Sequence, residues 1–174
     1  GVHACVSTDY DRAAPHGTGD VKAGGNYAAD LLPLKLAKEE GYGTTLYLDC
    51  AEKKYVEEFS VSNFLGIDKD GAYCTPASSS ILPSITNKML MQLARDNGIE
   101  VKQGNIEWTD VPSFREVGAC GTATVCVPIG SITQGETKHE FGKFDVLNML
   151  RSQLMAIQLG EAEDKHGWMR EVKC

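Results

Sequence analysis

Residues 17–27 read Gly17-Thr18-Gly19-Asp20-Val21-Lys22-Ala23-Gly24-Gly25-Asn26-Tyr27, a glycine-rich segment with a single lysine at its centre. Such a segment is unfavourable in a regular helix or strand, so we predict a loop. Glycines on both sides of Lys22 would let the backbone pack against a bulky planar ligand while the amine points into a cleft. A cleft that excludes water would keep that amine neutral and nucleophilic. Taken alone, however, a loop lysine is more often a solvated surface group.

A second segment, residues 56–63, places two glutamates side by side in a predicted strand. Side chains alternate between the two faces of a strand, so Glu57 and Glu58 point to opposite sides and one of them can point inward. An inward carboxylate beside a pyridine ring would hold the ring nitrogen protonated and make the ring an electron sink. A solvated strand glutamate is the alternative interpretation.

A third segment, Ile81-Leu82-Pro83-Ser84-Ile85-Thr86, directly precedes a predicted helix over residues 86–97. The N-terminus of a helix offers free backbone N–H groups and the positive end of the helix dipole, which together can bind a phosphate. Thr86 is equally well explained as a simple N-cap. Residues 119–123 add a glycine turn and a hydroxyl before a strand, and they offer further donors to an anion.

The hydrophobic pattern predicts a fold of the α+β or mixed α/β class, in which strands outnumber helices. At 174 residues, the chain is long enough for one domain with a real core. The predicted helices cover residues 26–40, 86–97 and 144–159, and Asn26 is the expected cap of the first. The predicted strands cover residues 44–49, 55–67, 72–75, 99–107 and 123–132, the last broken by Pro128.

Composition limits the class of function. The net charge is −7 and no basic stripe is present, so nucleic-acid binding is not expected. No apolar run approaches the roughly 20 residues that a membrane span requires, so no membrane partner is expected. The four histidines and six cysteines lack metal-ligand spacing, which predicts no metal site. The cysteines are typical of reduced, mostly buried thiols in an intracellular protein, and no secretory signal is visible.

Read together, the segments around Lys22, Glu58, Thr86 and Thr122 resemble the fold-type IV pyridoxal-phosphate enzymes, and specifically the branched-chain amino acid aminotransferases. The resemblance extends from about residue 6 to residue 161. It implies the C-terminal large domain of that fold, a β-rich pseudo-barrel core with flanking helices, over residues 1–160. A polar tail over residues 161–174 would follow. The N-terminal domain of the family is expected to be absent from the sequence.

The resemblance also implies roles for individual residues, with pyridoxal 5'-phosphate as the cofactor. Lys22 falls on the Schiff-base lysine and is the implied catalytic residue. Tyr27 falls on the tyrosine near the phenolic oxygen of the cofactor, and Glu58 on the carboxylate that pairs with the pyridine nitrogen. Ile85 and Thr86 match the pair whose backbone N–H groups hold the phosphate.

Thr122 matches a hydroxyl that is directed at the phosphate of the cofactor. The backbone of Thr122 and Ala123 matches the turn that receives the substrate carboxylate. The implied reaction transfers the amino group of leucine, isoleucine or valine to 2-oxoglutarate through an aldimine at Lys22. The implied assembly of the full-length protein is a homodimer. The implied location is intracellular, in the cytoplasm or in an organelle such as a mitochondrion or plastid.

Several positions depart from the family pattern and leave other functions open. Ser84 stands where a glycine is usual, Asn87 where an arginine is usual, and Val61 where a threonine is usual. These changes bear on substrate preference more than on the cofactor. Another fold-type IV enzyme, such as a D-amino acid aminotransferase or an aminodeoxychorismate lyase, is one alternative. A non-catalytic half-domain or fragment that acts as a structural or interaction subunit is the other.

Overall fold

Strands dominate the computed structural model, which describes residues 1–172. The strands are β1 (Val2–Ser7), β2 (Thr44–Leu48), β3 (Val56–Phe59), β4 (Ser62–Ile67), β5 (Tyr73–Thr75), β6 (Val101–Gln103), β7 (Glu116–Gly121), β8 (Val125–Gln134) and β9 (Thr137–Glu140). The helices are α1 (Gly24–Glu39), α2 (Ile85–Asp96) and α3 (Asp145–Gln158), with a short 3-10 helix at Trp108–Ser113.

Six of these strands close into a barrel. The strand order is β3-β2-β1-β8-β7-β4, and an additional pairing between β3 and β4 completes the ring. Strand β1 runs parallel to both of its neighbours, β2 and β8, and the other pairings within the ring are antiparallel. Strands β5 and β6 extend the sheet from β4, while β9 pairs with β8. The expected mixed α/β class with a barrel-like core and flanking helices is therefore confirmed.

Alternation along the strands builds two separate cores. In β4, Phe64 packs into a cluster that draws on all six barrel strands, while Leu65 and Ile67 on the opposite face pack beneath α2 and α3. The helices contribute apolar stripes at helical spacing, such as Leu147, Leu150 and Leu154 of α3, to this second cluster. Successive strand side chains point to opposite faces, which explains why β4 can be buried on both sides.

The predicted strand over residues 55–67 is wrong, because the chain turns back within it. Phe59 of β3 pairs directly with Ser62 of β4, so Ser60 and Val61 form a tight turn between two antiparallel strands. The turn contains no glycine, proline, asparagine or aspartate to mark it, and Val61 is a β-branched residue at its tip, 67% exposed. Only the pairing with neighbouring strands decides where the chain reverses.

The starts of the first two helices also differ from the prediction. Helix α1 begins at Gly24, and Asn26 lies inside it; the Asn26 amide donates to the carbonyl oxygens of Thr18 at 2.7 Å and Val21 at 2.9 Å. Helix α2 begins at Ile85, so Thr86 is not its cap. The cap is Ser84, whose hydroxyl oxygen accepts from the Asn87 N–H at 3.2 Å.

Two strand predictions need correction as well. Strand β8 runs through Pro128, which lies opposite Gly118 of β7, so the proline does not break it. A register shift in the pairing of β1 with β8 follows just beyond Pro128. The strand predicted over residues 99–107 is shorter, because only Val101–Gln103 pairs with β5.

Residues 161–172 follow α3 without forming a helix or strand. Within them, the His166 Nε2 atom lies 2.6 Å from the Asp96 Oδ2 atom of α2, and Trp168 packs partly against the second core cluster. Lys173 and Cys174, which belong to the predicted polar tail, lie outside the described residues. The domain boundary near residue 160 stays a prediction. The five cysteines of the described part of the chain form no disulfide, and Cys74, Cys120 and Cys126 are buried.

Residues 1–172 contain neither a metal-binding cluster nor a membrane-spanning helix. No group of three histidine, cysteine, aspartate or glutamate side chains could hold a metal ion there. In the same residues, no helix has the length and apolarity needed to cross a bilayer.

Candidate functional site

A cavity of about 690 Å³ lies at one end of the barrel. The strand directions explain its position, because β1 and β2 begin at this end while the β3–β4 turn and the β7–β8 turn both reverse there. The N-termini of α1 and α2 also reach it. The predicted site residues that line the cavity are Lys22, Tyr27, Glu58, Ile85, Thr122 and Ala123. Thr86 does not line it; this residue is buried in the first turn of α2.

Lys22 lies in the loop before α1 and is exposed to solvent. Tyr27, in the first turn of α1, is 37% exposed. The described residues therefore do not provide the water exclusion that was expected around the amine. Two neighbouring positions are also open: a Cβ added at Gly24 or Gly25 would meet no atom within 4 Å. No contact within the described chain requires glycine at these positions, so the space beside them is free for a ligand.

Glu58 is the buried carboxylate of the cavity. Its Oε1 atom lies 3.2 Å from the Nη2 atom of Arg12 and also accepts a hydrogen bond from the Leu82 N–H. Burial raises the pKa of Glu58 to about 7, although the guanidinium of Arg12 and the Leu82 N–H both act to lower it. The interpretation of Glu58 as a solvated glutamate is therefore wrong. With a pKa of about 7, Glu58 can be protonated or ionised near neutral pH, and the groups that it contacts decide which form is favoured.

Arg12 is a residue of the cavity that the sequence interpretation missed. Its side chain is buried, and Nη2 donates to the carbonyl oxygens of Gly19, at 3.0 Å, and Ser80. The Nε atom is buried and has no hydrogen-bond partner within residues 1–172. Arg12 thus ties the lysine loop and the loop before α2 to Glu58. No local signal marks it, because it lies in an irregular segment without periodicity or motif spacing.

Gly19 is required where the two loops meet. A Cβ at this position would lie 2.3 Å from the carbonyl oxygen of Ser80 and 2.7 Å from its carbonyl carbon. We expect Gly19→Ala to lower the free energy of unfolding by about 1–3 kcal/mol, because a backbone contact cannot relax as a flexible side chain can. Chemical denaturation measures this change.

Gly25→Ala is the matched control for that substitution. The added methyl group meets no atom within 4 Å and lies in a helix, where alanine is favoured over glycine. We expect it to keep or slightly increase stability. Equal losses in the two variants would show that the Gly19–Ser80 contact is not the cause.

Glu57 points away from the cavity and is also buried. Its Oε1 atom accepts a hydrogen bond from the Ser78 hydroxyl at 3.2 Å. Burial raises the pKa of Glu57 above its usual range, while the bond from Ser78 and the nearby Arg12 act in the opposite direction. The alternation expected along this strand is present, but both of its glutamates are buried.

The N-terminus of α2 forms another wall of the cavity through Ser84 and Ile85. The backbone N–H groups of Ile85 and Thr86 have no acceptor within residues 1–172, as is usual for the first turn of a helix. Asn87 stabilises this helix start: its side chain accepts from the Tyr73 hydroxyl at 2.6 Å and donates to Thr75 Oγ1 at 2.9 Å.

Two turns lie side by side at the rim of the cavity, at the ends of the paired strands β4 and β7. Thr122 and Ala123 lie in the β7–β8 turn, and Val61 lies in the β3–β4 turn. A Cβ placed on Gly121 would lie 3.9 Å from both the Ser62 Cβ atom and the Val61 carbonyl oxygen, so the two turns are in contact distance. This arrangement leaves backbone groups and the Thr122 hydroxyl along the rim.

Known proteins resemble this chain in sequence and in fold. Residues 2–132 match the family model described as Amino-transferase class IV. The branched-chain-amino-acid aminotransferase of Haemophilus influenzae is 43% identical over 178 residues, covering 97% of this chain and 52% of the relative.

Solved structures agree. The crystal structure of the Escherichia coli branched-chain amino acid aminotransferase superposes with a TM-score of 0.85 at 33% identity, over 99% of this chain and 56% of that one. The PLP-form (holo-form) of the branched-chain amino acid aminotransferase from Thermobaculum terrenum gives a TM-score of 0.80 at 30% identity. The match covers 92% of this chain and 52% of that one. The chain spans about half the length of the relatives that it matches. Because the family model covers most of its residues, the chain belongs to the class IV aminotransferase family.

Proposed function

We propose that this chain is the cofactor-binding part of a branched-chain amino acid aminotransferase that uses pyridoxal 5'-phosphate. It would act in transferring the amino group of leucine, isoleucine or valine to 2-oxoglutarate. The observation that carries the proposal is that Lys22, Glu58, Ile85 and Thr122 line the same cavity. The name of the Haemophilus influenzae relative supports the same reaction.

The donor set of the cavity fits this cofactor. A phosphate needs several N–H or O–H donors, and the free N–H groups of Ile85 and Thr86, together with the Thr122 hydroxyl, provide them. A pyridine nitrogen needs an acidic partner, and Glu58 is the buried carboxylate of the cavity. The open space beside Gly24 and Gly25 leaves room for a planar ring.

Lys22 would carry the chemistry, since it lines the cavity and its amine would hold the cofactor there. Pyridoxal phosphate, when bound, supplies an aldehyde that joins the amine of an amino acid and a ring that withdraws electrons from the amino acid Cα. Lys22 Nζ would act as a general base that takes the proton from that Cα, and then as a general acid that delivers it to the C4′ carbon of the cofactor.

Glu58 and Tyr27 would hold the ring in place. An ionised Glu58 would keep a proton on the ring nitrogen, and the Arg12 guanidinium would favour that ionised form. The Tyr27 hydroxyl would lie near the phenolic oxygen of the cofactor. The Thr122–Ala123 turn would receive the substrate carboxylate through its backbone N–H groups.

The whole protein would complete the site. Because Lys22 and Tyr27 are solvent-exposed in the described chain, further protein must cover them to exclude water from the reaction. We propose a homodimer for the full-length protein. We also place the reaction inside the cell, in the cytoplasm or an organelle, which agrees with the five unpaired cysteines of residues 1–172.

Borohydride reduction tests the proposal directly. The 174-residue chain is mixed with pyridoxal phosphate, reduced, and digested, and the modified peptides are mapped by mass spectrometry. We expect the label on Lys22 in high yield, because the surrounding donors retain the phosphate and ring beside this amine. Exposed lysines outside the cavity, such as Lys35 and Lys143, serve as internal controls. A label that is absent or spread evenly over these lysines would overturn the proposal for these residues.

A further inference from the structure

Asp30 is a buried carboxylate that connects three elements of the fold. It lies in α1 and is 3% exposed. Its Oδ1 atom accepts a hydrogen bond from the Tyr47 hydroxyl of β2 at 2.5 Å and another from the Ser60 hydroxyl of the β3–β4 turn at 2.9 Å. Both donors are themselves buried. One oxygen atom therefore links the helix, the barrel wall and the turn at the cavity.

The direction of the hydrogen bonds in this network is determined. The single hydroxyl hydrogen of Ser60 is donated to Asp30, so the bond between Ser60 Oγ and Thr45 Oγ1, 2.7 Å long, is donated by Thr45. The Ser60 backbone is also held, because its N–H donates to the Thr45 carbonyl oxygen at 3.0 Å. Both the side chain and the backbone of Ser60 are thus fixed.

A carboxyl group is an unexpected side chain at this buried helix position. No cation in residues 1–172 lies within ion-pair distance of it. A buried carboxylate without a cation is costly to desolvate, and a neutral side chain would fill this helix position at lower cost. What the carboxyl group adds is one oxygen atom that accepts hydrogen bonds from both Tyr47 and Ser60. Burial and the bond to Asp30 raise the pKa of Tyr47 far above its usual range, so Tyr47 stays a donor.

The network ends at the rim of the cavity. Ser60, Val61 and Ser62 all line it, and they lie next to the Thr122–Ala123 turn. On the other side, Asp30 lies one helical turn after Tyr27, which also lines the cavity. By holding Ser60, the Asp30 side chain therefore fixes the β3–β4 turn relative to the start of α1, and both of these elements line the cavity.

From these contacts we infer that Asp30 is a positioning residue for the substrate side of the cavity. Through Ser60, it holds the turn at residues 60–62 in place beside the Thr122–Ala123 turn, to which the proposed function assigns the substrate carboxylate. This inference rests on the proposed function. It assigns the network to substrate binding and leaves the attachment of the cofactor to Lys22 independent of Asp30.

The test uses the 174-residue chain loaded with pyridoxal phosphate and an unreactive branched carboxylate, 4-methylpentanoate, as the probe. Calorimetry gives the Kd of the probe, and a separate titration gives the Kd of the cofactor. We expect Asp30→Ala and Ser60→Ala to raise the Kd of the probe by about tenfold, the effect of one lost hydrogen bond, with the cofactor Kd within about twofold of the parent. Asp30→Asn keeps an acceptor oxygen and should recover part of the loss.

Ser113→Ala is the matched control, because it removes one serine hydrogen bond, to the Asp110 carbonyl oxygen, at an exposed site outside the cavity. An unchanged probe Kd in Asp30→Ala and Ser60→Ala would overturn the inference, as would equal weakening of probe and cofactor. If the parent chain takes no cofactor on Lys22, the proposed function fails. In that case, amide hydrogen exchange at Val61 and Ser62 tests whether Asp30 positions the turn through Ser60. Faster exchange in Ser60→Ala than in the parent supports this role, and unchanged exchange overturns it.

Discussion

Replacing Lys22 by alanine is expected to abolish borohydride-trapped labelling by pyridoxal phosphate, down to the background of the surface lysines. The covalent bond needs a primary amine beside the phosphate donors, and Lys22 is the lysine that lines the cavity in the described chain. Stability should hardly change, because the side chain is exposed and forms no ion pair there. Peptide mapping and denaturant unfolding of the same samples measure both quantities.

Lys143→Ala controls for a general loss of lysines. This residue is exposed and lies outside the cavity, so its variant should label at Lys22 like the parent. Labelling of the Lys22→Ala variant at the parent level on another single lysine would contradict the assignment. Weak labelling that survives equally in both variants would point to surface chemistry instead of a site.

Replacing Arg12 by methionine is expected to lower the free energy of unfolding by about 3–5 kcal/mol at pH 8. At that pH Glu58, whose pKa is raised to about 7, is mostly ionised beside Arg12. Without Arg12, Glu58 must either remain as an unpaired buried charge or take up a proton from solvent, and both lower the stability of the folded state. The carbonyl oxygens of Gly19 and Ser80 lose their donor at the same time. Chemical denaturation at several pH values measures the loss.

The pH dependence identifies the cause. The pKa of Glu58 is higher in the folded state than in the unfolded state, so the folded state binds its proton more tightly. The stabilisation that this proton binding gives to the folded state is fully present below the unfolded pKa and is lost as pH rises through the folded pKa. Without Arg12 the folded pKa rises further, so the stability of Arg12→Met should fall more steeply from pH 6 to pH 8 than that of the parent. The double variant Arg12→Met/Glu58→Gln should lose this extra slope.

Lys54→Met is the control for removing a cation. It breaks an ion pair with Glu107 whose side chains are both more than 40% exposed, and such pairs contribute little. Its stability should stay near that of the parent at each pH. A pH-independent loss in Arg12→Met would show that Arg12 acts through the two carbonyl oxygens alone and not through Glu58.

The predicted site residues Lys22, Glu58 and Thr122 could be singled out from the amino-acid sequence, through the resemblance of their segments to a known family. Lys22, Glu58 and Thr122 lie in short segments, and a glycine-flanked lysine, a strand carboxylate and a glycine turn each carry their chemical character within a few residues. Six of the seven predicted site residues line one cavity. The helix over residues 85–96 and the mixed α/β class were also predictable, since hydrophobic periodicity reflects which face of an element is buried.

How those residues are held could be seen only in the folded chain. Ser60 and Val61 read as the middle of a strand, and only pairing between β3 and β4 makes them a turn. Asp30 meets Ser60 across 30 residues, and Arg12 meets the Ser80 carbonyl across 68. Such contacts depend on closure of the barrel and leave no periodic or motif signal in the chain. The sequence encodes the reactive groups locally, whereas the partners that set their charge and position are brought together only by long-range packing.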